Sequence, residues 1–239
     1  MTTTEPTLQA QGEYWSSWGV ASARGEGKGD PYTDRVCAIV REVAARCAAR
    51  ERAADVVCGT GWITTVLEGA FRHVWATELA PASIRVARAS APHAEFAEGD
   101  FLSLELPPAG DLTVSCEVVA HVRDQRAFFA RCRELTKTGG RFLLITQNPV
   151  TWSRQSGVRE PVNQERHWCS LDEIRAHCAA VGFEVVAAYT IQPHGDRGAL
   201  WWRPYANGAI RRVIGRRATE SFFERLGLGR SIVVEAVAV

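Results

Sequence analysis

Short apolar runs alternate with helical patterns along most of this chain. Residues 53–58 form a run that is apolar and β-branched at its centre, which predicts a buried strand. Further strands are predicted over residues 73–78, 94–97, 112–116, 141–146, 183–189 and 231–239. Ahead of the first strand, apolar residues recur at the spacing of one helix face, at Val36, Ile39, Val40, Val43 and Cys47.

Capping signals predict where several helices begin and end. Thr33 or Asp34 is expected to cap the helix ahead of the first strand. The helix after the fourth strand is expected to begin at Asp124 and to stop at Gly139-Gly140. Residues 170–173, Ser-Leu-Asp-Glu, form a capping box and predict another helix.

Strands that alternate with helices predict an α/β fold with a doubly wound, mostly parallel, seven-stranded sheet. Ligands of such sheets bind outside the carboxyl ends of the strands, where the strand order reverses. The loops after the first five predicted strands should therefore surround one crevice. The last two strands lack an equally clear crossover pattern.

Composition favours one domain of 239 residues, because the 46% of hydrophobic residues suffice for a full core and no internal repeat is present. Within this domain, residues 1–32 are predicted to be an N-terminal tail with an aromatic lid, and residues 191–229 a helical insertion before the last strand. The net charge of +1 creates no overall field that would favour nucleic acid or a membrane.

The seven cysteines are dispersed without a C-x-x-C pair, which fits reduced thiols in the cytosol. Residues 1–6 show no basic-plus-apolar leader pattern, and no apolar run reaches membrane length. We therefore expect a cytoplasmic protein without a membrane partner. The oligomeric state stays open.

The stretch Cys58-Gly59-Thr60-Gly61 follows the first strand at once and opens a helical pattern. Glycines let the backbone approach a ligand, and a helix N-terminus offers free N–H groups. Glu78 ends the next strand about 20 residues on, where a carboxylate would hold a ribose. These features predict a nucleotide site. Because Gly59-x-Gly61-x-x-Thr64 also fits a degraded dinucleotide fingerprint, the ligand stays open at this point.

The chain resembles the class I S-adenosylmethionine-dependent methyltransferases over residues 30–190 and the final strand. Besides the glycine loop and Glu78, the similar segments are residues 99–101, 117–124, 135–140, 147–149 and 166–168. Segment 117–124 is similar to the small-molecule O-methyltransferase branch, which includes quinone-biosynthesis enzymes. The resemblance implies a Rossmann-like methyltransferase fold and S-adenosylmethionine as cofactor. It also implies a cofactor site comprising Trp15, Asp55, Val57, Cys58, Gly59, Gly61, Glu78, Leu79, Asp100, Phe101, Cys116 and Glu117.

Two positions depart from the family pattern. Val57 stands where the family has its first glycine, so a Cβ should crowd the turn or shift the methionine end of the cofactor. Ala120 stands where some relatives carry a second glutamate of a metal-binding Glu-Glu-His set. Glu117, His121 and His167 without that carboxylate form a weak ligand set, so we expect no metal.

Methyl transfer from a sulfonium needs mainly alignment, but a hydroxyl acceptor must also lose a proton. His121 is the candidate base, because it lies just past the fourth strand, where the methyl group should point. It is also compatible with a role in capping the following helix. Glu117 could orient it or touch the amino group of the cofactor, and His167 is a second candidate or a loop histidine.

Two aromatic segments allow more than one interpretation. Tyr14, Trp15 and Trp18 could form a lid or pack an N-terminal segment on the domain. Residues 192–229, rich in arginine and aromatics, could be a substrate cap, an RNA surface, or amphipathic helices with a solvated arginine face.

The sequence therefore predicts an O-methyltransferase of a small-molecule acceptor, with secondary metabolism as its expected setting. The rivals are an RNA ribose 2′-O-methyltransferase, an N-methyltransferase of a small amine, and a non-catalytic nucleoside binder. Low net charge and the lack of a separate RNA-binding domain make a nucleic-acid partner the weaker interpretation. A dehydrogenase fits least, because it leaves Asp100 and residues 117–124 without a role.

Overall fold

A computed structural model describes residues 6–23, 30–155, 164–193, 212–213 and 215–239, with backbone alone for 18–23 and 216. Its strands are β1 (Arg52–Val56), β2 (His73–Glu78), β3 (Glu95–Glu98), β4 (Gly110–Cys116), β5 (Thr136–Gln147), β6 (Phe183–Pro193) and β7 (Gly229–Ala238). Its helices are α1 (Leu8–Ala23), α2 (Pro31–Ala45), α3 (Trp62–Glu68), α4 (Pro81–Ser90), α5 (Gln125–Leu135), α6 (Pro149–Trp152), α7 (Leu171–Ala180) and α8 (Arg216–Arg225). A 3₁₀ turn spans Val119–His121.

The seven strands form one sheet in the order β3-β2-β1-β4-β5-β7-β6. All neighbouring pairs are parallel except those of β7, which runs antiparallel to both β5 and β6. The predicted doubly wound, mostly parallel sheet is confirmed. Strand order reverses between β1 and β4, which are neighbours in space although β2 and β3 lie between them in sequence. A crevice for a ligand therefore opens at the carboxyl ends of β1 and β4.

Helices cover both faces of the sheet, and β5 shows how its side chains divide between them. Phe142 and Leu144 belong to the same buried cluster as Phe128 of α5. Leu143 and Ile145, which point to the opposite face, share a second cluster with α2 and α3. Both faces are buried because parallel strands carry a helix layer on each side.

The capping predictions are confirmed at two helices and wrong at a third. Asp124 caps α5 through the backbone N–H of Ala127, and residues 170–173 form the expected capping box. At α2, however, the cap is Asp30 and the helix begins at Pro31. Proline suits the first helical turn, because its fixed φ is helical and its missing N–H would have no partner there.

The end of α5 also differs from the prediction, because α5 ends at Leu135 and β5 begins directly at Thr136. Thr136 is buried, pairs with Gly110 of β4, and donates its hydroxyl to the Cys132 carbonyl at 2.8 Å. A β-branched residue with these contacts favours extended backbone. Gly139, with φ +77°, then lies within the strand rather than at a helix end.

The N-terminal prediction is corrected as well, since part of the expected tail is helical. Helix α1 begins at Leu8 and packs against α4. Gly12, Ser16 and Ser17 lower the helix propensity of this segment, so its helix depends on tertiary packing. Residues 24–29 and the Trp18 side chain lie outside the described residues.

About half of the predicted insertion also lies outside the described part of the chain. Within the described part of the insertion, α8 precedes β7. Strand β6 extends four residues beyond its predicted end at residue 189. Residues 194–211, which include Trp201, Trp202 and Tyr205, are not described. Among the helices of the described residues, none combines the length and the apolar character needed to cross a bilayer.

Candidate active site

A cavity of about 740 Å³ opens at the carboxyl edge of the sheet. Loops after β1, β2, β3 and β4 line it, together with α1 and the start of β7. It brings together twelve of the residues singled out from the sequence, which are Trp15, Asp55, Val57, Cys58, Gly59, Glu78, Leu79, Asp100, Phe101, Cys116, Glu117 and His121. Gly61 and His167 do not line it.

The glycine loop depends on left-handed backbone conformations. Val57 and Gly59 both have φ +58°, and Gly61 has φ +80°. A Cβ on Gly61 would lie 2.8 Å from the Ala87 Cα, so glycine is needed where the start of α3 meets α4. A Cβ on Gly59 would have no atom within 4 Å. Gly61 therefore serves packing behind the cavity, whereas Gly59 leaves its backbone open toward a ligand.

Val57 and Glu117 occupy matching positions on neighbouring strands. Each directly follows the last residue of its strand, β1 or β4, and each is a non-glycine residue with positive φ, +58° and +60°. Such conformations are costly for residues with a Cβ and occur at binding and catalytic sites. Both side chains line the cavity. The valine in place of the family glycine is thus accommodated by strained backbone rather than by a different turn.

Asp55, in the buried strand β1, accepts a hydrogen bond of 2.6 Å from the Thr64 hydroxyl. The pKa of its carboxyl is raised to about 7, mainly by burial and also by the negative charge of Glu78, although the Thr64 hydrogen bonds oppose the rise. A carboxyl group with this pKa changes charge near neutral pH. The first acidic residue of the loop is therefore poised between its neutral and charged forms.

Glu78 ties the end of β2 to the glycine loop. Its two carboxylate oxygens accept from the backbone N–H groups of Gly59 and Ala80, each at 2.8 Å. Burial raises the pKa of Glu78, and these backbone donors oppose the rise. Because a carboxylate has about four acceptor positions, Glu78 can still accept from ligand hydroxyls in the cavity.

Asp100 and Phe101 follow β3 at the far end of the cavity. The Asp100 carboxylate accepts from the Leu102 N–H at 3.1 Å and lies 3.4 Å from the Ser103 hydroxyl. The buried Phe101 ring meets Phe128 edge to face at 5.6 Å. These contacts fix the loop, so that a carboxylate and an aromatic ring face the same space.

Helix α1 covers one side of the cavity. Leu8, Gln11 and Trp15 line it, and the Trp15 carbonyl lies 3.4 Å from the Ser83 hydroxyl of α4. The Trp15 ring meets the His121 ring at 4.9 Å, with an interplanar angle of 67°. Trp15 thus both packs on the domain and lines the cavity, in agreement with both interpretations of the sequence.

His121 has one ring nitrogen fixed by the protein. Its Nδ1 lies 2.7 Å from the Glu165 carbonyl oxygen, which can only accept, so Nδ1 carries the proton. In neutral imidazole, Nε2 then has a free lone pair. Burial lowers the pKa of His121, so that the neutral form prevails at pH 7. This is the tautomer and charge state of a general base.

His167 lies differently from the prediction that made it a second base. Its Nε2 is 2.8 Å from a Glu165 carboxylate oxygen, and its backbone N–H donates to the Ala120 carbonyl at 2.6 Å. Its side chain is 42% exposed and does not line the cavity. The structure therefore places His167 beside the segment that holds His121, not at the space where a ligand would bind.

Glu117 is held by two residues that the sequence analysis missed. Its carboxylate accepts from the hydroxyls of Tyr32 and Ser231, the latter at 2.7 Å. Burial raises the pKa of Glu117, and burial together with the Glu117 charge raises the pKa of Tyr32. Within the described residues, Glu117 forms no hydrogen bond to His121. The expected orienting role is therefore taken by the Glu165 carbonyl.

Arg230 is a further cavity residue that the sequence analysis did not identify as a site residue. Tyr32, Ser231 and Arg230 are far from Glu117 in sequence, and no local motif marks them. What they share is that α2 and β7 bring them close to Glu117 across long stretches of sequence. Searched across the described residues, the structure holds no group of three His, Cys, Asp or Glu side chains arranged for a metal ion.

Comparisons with known proteins agree with this geometry. Residues 54–144 match the family described as "Methyltransferase domain". A probable S-adenosylmethionine-dependent methyltransferase of Mycolicibacterium smegmatis is 30% identical over 152 residues, which are 62% of this chain and 57% of that protein. The malonyl-[acyl-carrier protein] O-methyltransferase of Serratia marcescens is 31% identical over 140 residues, which are 57% of this chain and 55% of that protein. The chain thus spans little more than half the length of either relative.

Among solved structures, the DhpI complex with SAH has a TM-score of 0.64 to this chain. The match covers 99% of this chain and 98% of that chain, at 16% sequence identity. A likeness at this level of identity concerns the fold, which many unrelated functions share.

Proposed function

We propose that the chain is a class I S-adenosylmethionine-dependent methyltransferase, with S-adenosylmethionine as its cofactor, and that it transfers a methyl group to an oxygen of a small molecule. The observation that carries the proposal is His121, a neutral imidazole with a free Nε2 in the same cavity as the glycine loop. An oxygen acceptor needs a group that removes its proton, and His121 has the required state.

The residues present fit the cofactor. The cavity volume of about 740 Å³ is within the range of small-molecule sites. In the proposal, Glu78 accepts from the ribose hydroxyls, Asp100 accepts from the adenine amino group, and the open backbone at Gly59 borders the cofactor. Asp55, Val57, Cys58, Leu79, Phe101 and Cys116 complete the lining.

S-adenosylmethionine, when bound, supplies an activated methyl group. The chain then has three tasks, which are alignment, removal of a proton and exclusion of water. Trp15 and the Glu165 carbonyl hold the His121 ring in one orientation. Helix α1 covers the cavity from the side of α4. In this proposal Nε2 of His121 takes the acceptor proton. Glu117 lies at the floor of the cavity, where the Tyr32 hydroxyl holds its carboxylate in place.

The choice of oxygen is supported by the Serratia relative, which is an O-methyltransferase. A cytoplasmic location is supported by the seven cysteines, none of which forms a disulfide although all are described. A place in secondary metabolism stays a prediction from the sequence.

Label transfer tests the proposal directly. The protein is incubated with methyl-labelled S-adenosylmethionine and separate panels of phenols, carboxylic acids, primary amines and a short RNA. We expect label in phenol or carboxylic acid products, with the methyl on oxygen by NMR. Label in amines alone, or in the RNA alone, would replace the proposal with the corresponding rival.

A binding measurement separates failure of the acceptor panel from failure of the cofactor assignment. S-adenosylhomocysteine should raise the melting temperature, and NAD should not, because Glu78 and Asp100 face one cavity with the glycine loop. Stabilisation by NAD without stabilisation by S-adenosylhomocysteine would contradict the cofactor assignment.

A further inference from the structure

Arg230, the second residue of β7, lines the cavity beside two aromatic rings. Its guanidinium carbon lies 4.4 Å from the centre of the Tyr32 ring and 5.5 Å from that of the Trp152 ring. Aromatic faces attract a cation, but they leave its charge and its N–H donors in place. The two rings therefore hold Arg230 in position without replacing a hydrogen-bonding partner.

The donors of Arg230 are not satisfied by the described residues. Its Nε is buried and has no hydrogen-bond partner there. The ion pairs found in this part of the chain use other basic side chains, such as Arg46, Arg123 and Arg141. Buried donors of a charged group rarely lack a partner in folded proteins, so this guanidinium is suited to an acceptor from outside the chain.

Glu117 is the acidic group closest to this role, yet its carboxylate is already engaged. It accepts from Tyr32 and Ser231, and it forms no ion pair with Arg230 among the described residues. The charge of Arg230 lowers the pKa of Glu117, which burial raises. Arg230 thus influences Glu117 through space, and no hydrogen bond within the described residues engages its guanidinium.

The position of Arg230 in the sheet separates it from the groups assigned to adenosine. Glu78 ends β2 and Arg230 begins β7, and the order β2-β1-β4-β5-β7 places them four strand positions apart. Neighbouring strands are about 4.8 Å apart, so this separation is roughly 19 Å. Arg230 therefore lies on the side of the cavity away from the ribose and adenine positions.

We propose that Arg230 binds a carboxylate of the methyl acceptor. A planar guanidinium matches the two oxygens of a carboxylate, and flanking aromatic rings keep its plane fixed. The inference rests on the proposed function and specifies the class of acceptor as an aromatic or apolar acid. The anchored carboxylate sets the distance at which a second oxygen of the acceptor meets His121.

Matched acids and amides test this assignment by binding. The probes are 4-hydroxybenzoate, 4-hydroxyphenylacetate and 3-(4-hydroxyphenyl)propanoate, each compared with its carboxamide by calorimetry on protein saturated with S-adenosylhomocysteine. For at least one pair the acid should bind about ten- to a hundredfold more tightly, the usual contribution of a charge-assisted hydrogen bond. This preference should vanish in Arg230→Met and survive in part in Arg230→Lys.

Arg225→Met is the matched control, because Arg225 is exposed at the end of α8 and does not line the cavity. It should keep the full preference for the acid. Equal binding of acid and amide in every pair, or a preference that persists in Arg230→Met, would overturn the proposal. If Arg230→Met does not fold, Arg230→Lys takes its place in the test. The proposal then requires that Arg230→Lys keep part of the preference for the acid over the amide.

The cofactor carries a carboxylate too, and a second comparison distinguishes the two sources. S-adenosylhomocysteine contains the amino-acid carboxylate, whereas 5′-methylthioadenosine lacks it. If Arg230 binds the acceptor, Arg230→Met should leave the affinities for both nucleosides within about twofold of the parent. Weaker binding of S-adenosylhomocysteine alone would assign Arg230 to the cofactor and overturn the proposal. Failure of both nucleosides to bind the parent protein would instead contradict the proposed function itself.

Discussion

The two ends of the cavity are built in different ways. The end that we assign to the cofactor, the cofactor end, comprises Asp55, the glycine loop, Glu78 and Asp100, each at or just after the carboxyl end of β1, β2 or β3. Its hydrogen bonds join backbone N–H groups to side chains close in the fold, such as Gly59 to Glu78. The geometry of this end therefore follows from the sheet and from backbone conformation.

The end that we assign to the methyl acceptor, the acceptor end, is lined by Glu117, His121 and Arg230, and Tyr32 packs behind Glu117. It depends on contacts between distant parts of the chain. Tyr32 comes from α2, Glu117 from the loop after β4, and Arg230 from β7. Here side chains hold one another, through the hydroxyl of Tyr32 and the ring stacking of Arg230. The difference suggests that cofactor binding is set by the shared architecture, whereas the acceptor is selected by residues that can change without altering the sheet.

Replacement of His121 should produce the largest effect, and it should be confined to the acceptor end. We expect His121→Ala to lower turnover by roughly 10²–10⁴-fold, the usual contribution of positioned proton transfer. Affinity for S-adenosylhomocysteine should change little. The loss should shrink as the pH approaches the pKa of the acceptor itself, because an ionised oxygen needs no base. Turnover against pH, with an acceptor identified by label transfer, measures both effects.

His121→Asn is the sharper control for that experiment. Its amide N–H can replace the Nδ1–H donor to the Glu165 carbonyl, but it offers no basic nitrogen. Turnover as low as in His121→Ala, with the same pH rescue, would support a base. Near-normal turnover in either variant at neutral pH would remove His121 from proton transfer, and a loss constant across pH would indicate positioning alone.

Asp55 should make the stability of the cofactor end depend on pH. Its pKa is raised from 3.8 to about 7 in the folded protein, so folding takes up a proton between these values. The free energy of unfolding should therefore fall as the pH rises through this window, by up to roughly 4 kcal/mol. Asp55→Asn cannot ionise, so its stability relative to the parent should rise over the same window. Urea unfolding at several pH values measures the slope.

Thr64→Val tests the cause of this slope. The Thr64 hydroxyl stabilises the Asp55 carboxylate, so its removal should raise the pKa further and extend the fall in stability to higher pH. The prediction would be contradicted if the free energies of unfolding of the parent and of Asp55→Asn ran parallel with pH. Asp55 would then titrate alike in the folded and unfolded states.

Glu78 should have a smaller effect, seen mainly in cofactor binding, because glutamine keeps an acceptor for one of the two backbone N–H groups that the carboxylate holds. A charge-assisted hydrogen bond contributes roughly 1.5–3 kcal/mol, so Glu78→Gln should weaken S-adenosylhomocysteine binding by about ten- to a hundredfold. Glu98→Gln is the matched control, because Glu98 pairs with Glu78 in the register of β2 and β3 yet is exposed and outside the cavity. Calorimetry measures the affinity of both variants for S-adenosylhomocysteine. Equal affinities would contradict the assignment of Glu78 to the ribose.

The contrast between the two ends also explains what could be predicted from the sequence. Apolar runs predicted every strand of the sheet, including the short β3, whose end residues Glu95 and Glu98 are exposed. Glu78 and Asp100 could be placed because each ends or directly follows such a run, and the carboxyl ends of parallel strands meet at one edge. The same local logic gave the position of His121 after β4.

Other features could not be predicted, because tertiary contacts decide them. Tyr32 meets Ser231 across 199 positions of sequence, and no local pattern encodes that contact. Helix α1 packs on α4 although its sequence has a low helix propensity. Helix α2 is capped by Asp30 rather than by Thr33 or Asp34, because Pro31 can occupy its first turn. The tautomer of His121 depends on a carbonyl 44 residues away.

Val57 allows the smallest and most specific test of the cofactor end. Its backbone is left-handed at φ +58°, a conformation that costs a residue with a Cβ roughly 1–2 kcal/mol. Val57→Ala and Val57→Gly both remove the two Cγ methyl groups and so share that loss, but only glycine, which also lacks the Cβ, relieves the conformation. Glycine gains more freedom in the unfolded chain, which offsets the relief by roughly 0.4–1 kcal/mol. The Gly variant should therefore be about 0.5–1 kcal/mol more stable than the Ala variant in urea unfolding.

Gly59→Ala, at the same φ and with no atom within 4 Å of the added Cβ, should lose stability by a similar amount. An Ala variant at residue 57 as stable as the Gly variant would mean that the loop is not strained there, and the cofactor end would then depend on side chains as the acceptor end does.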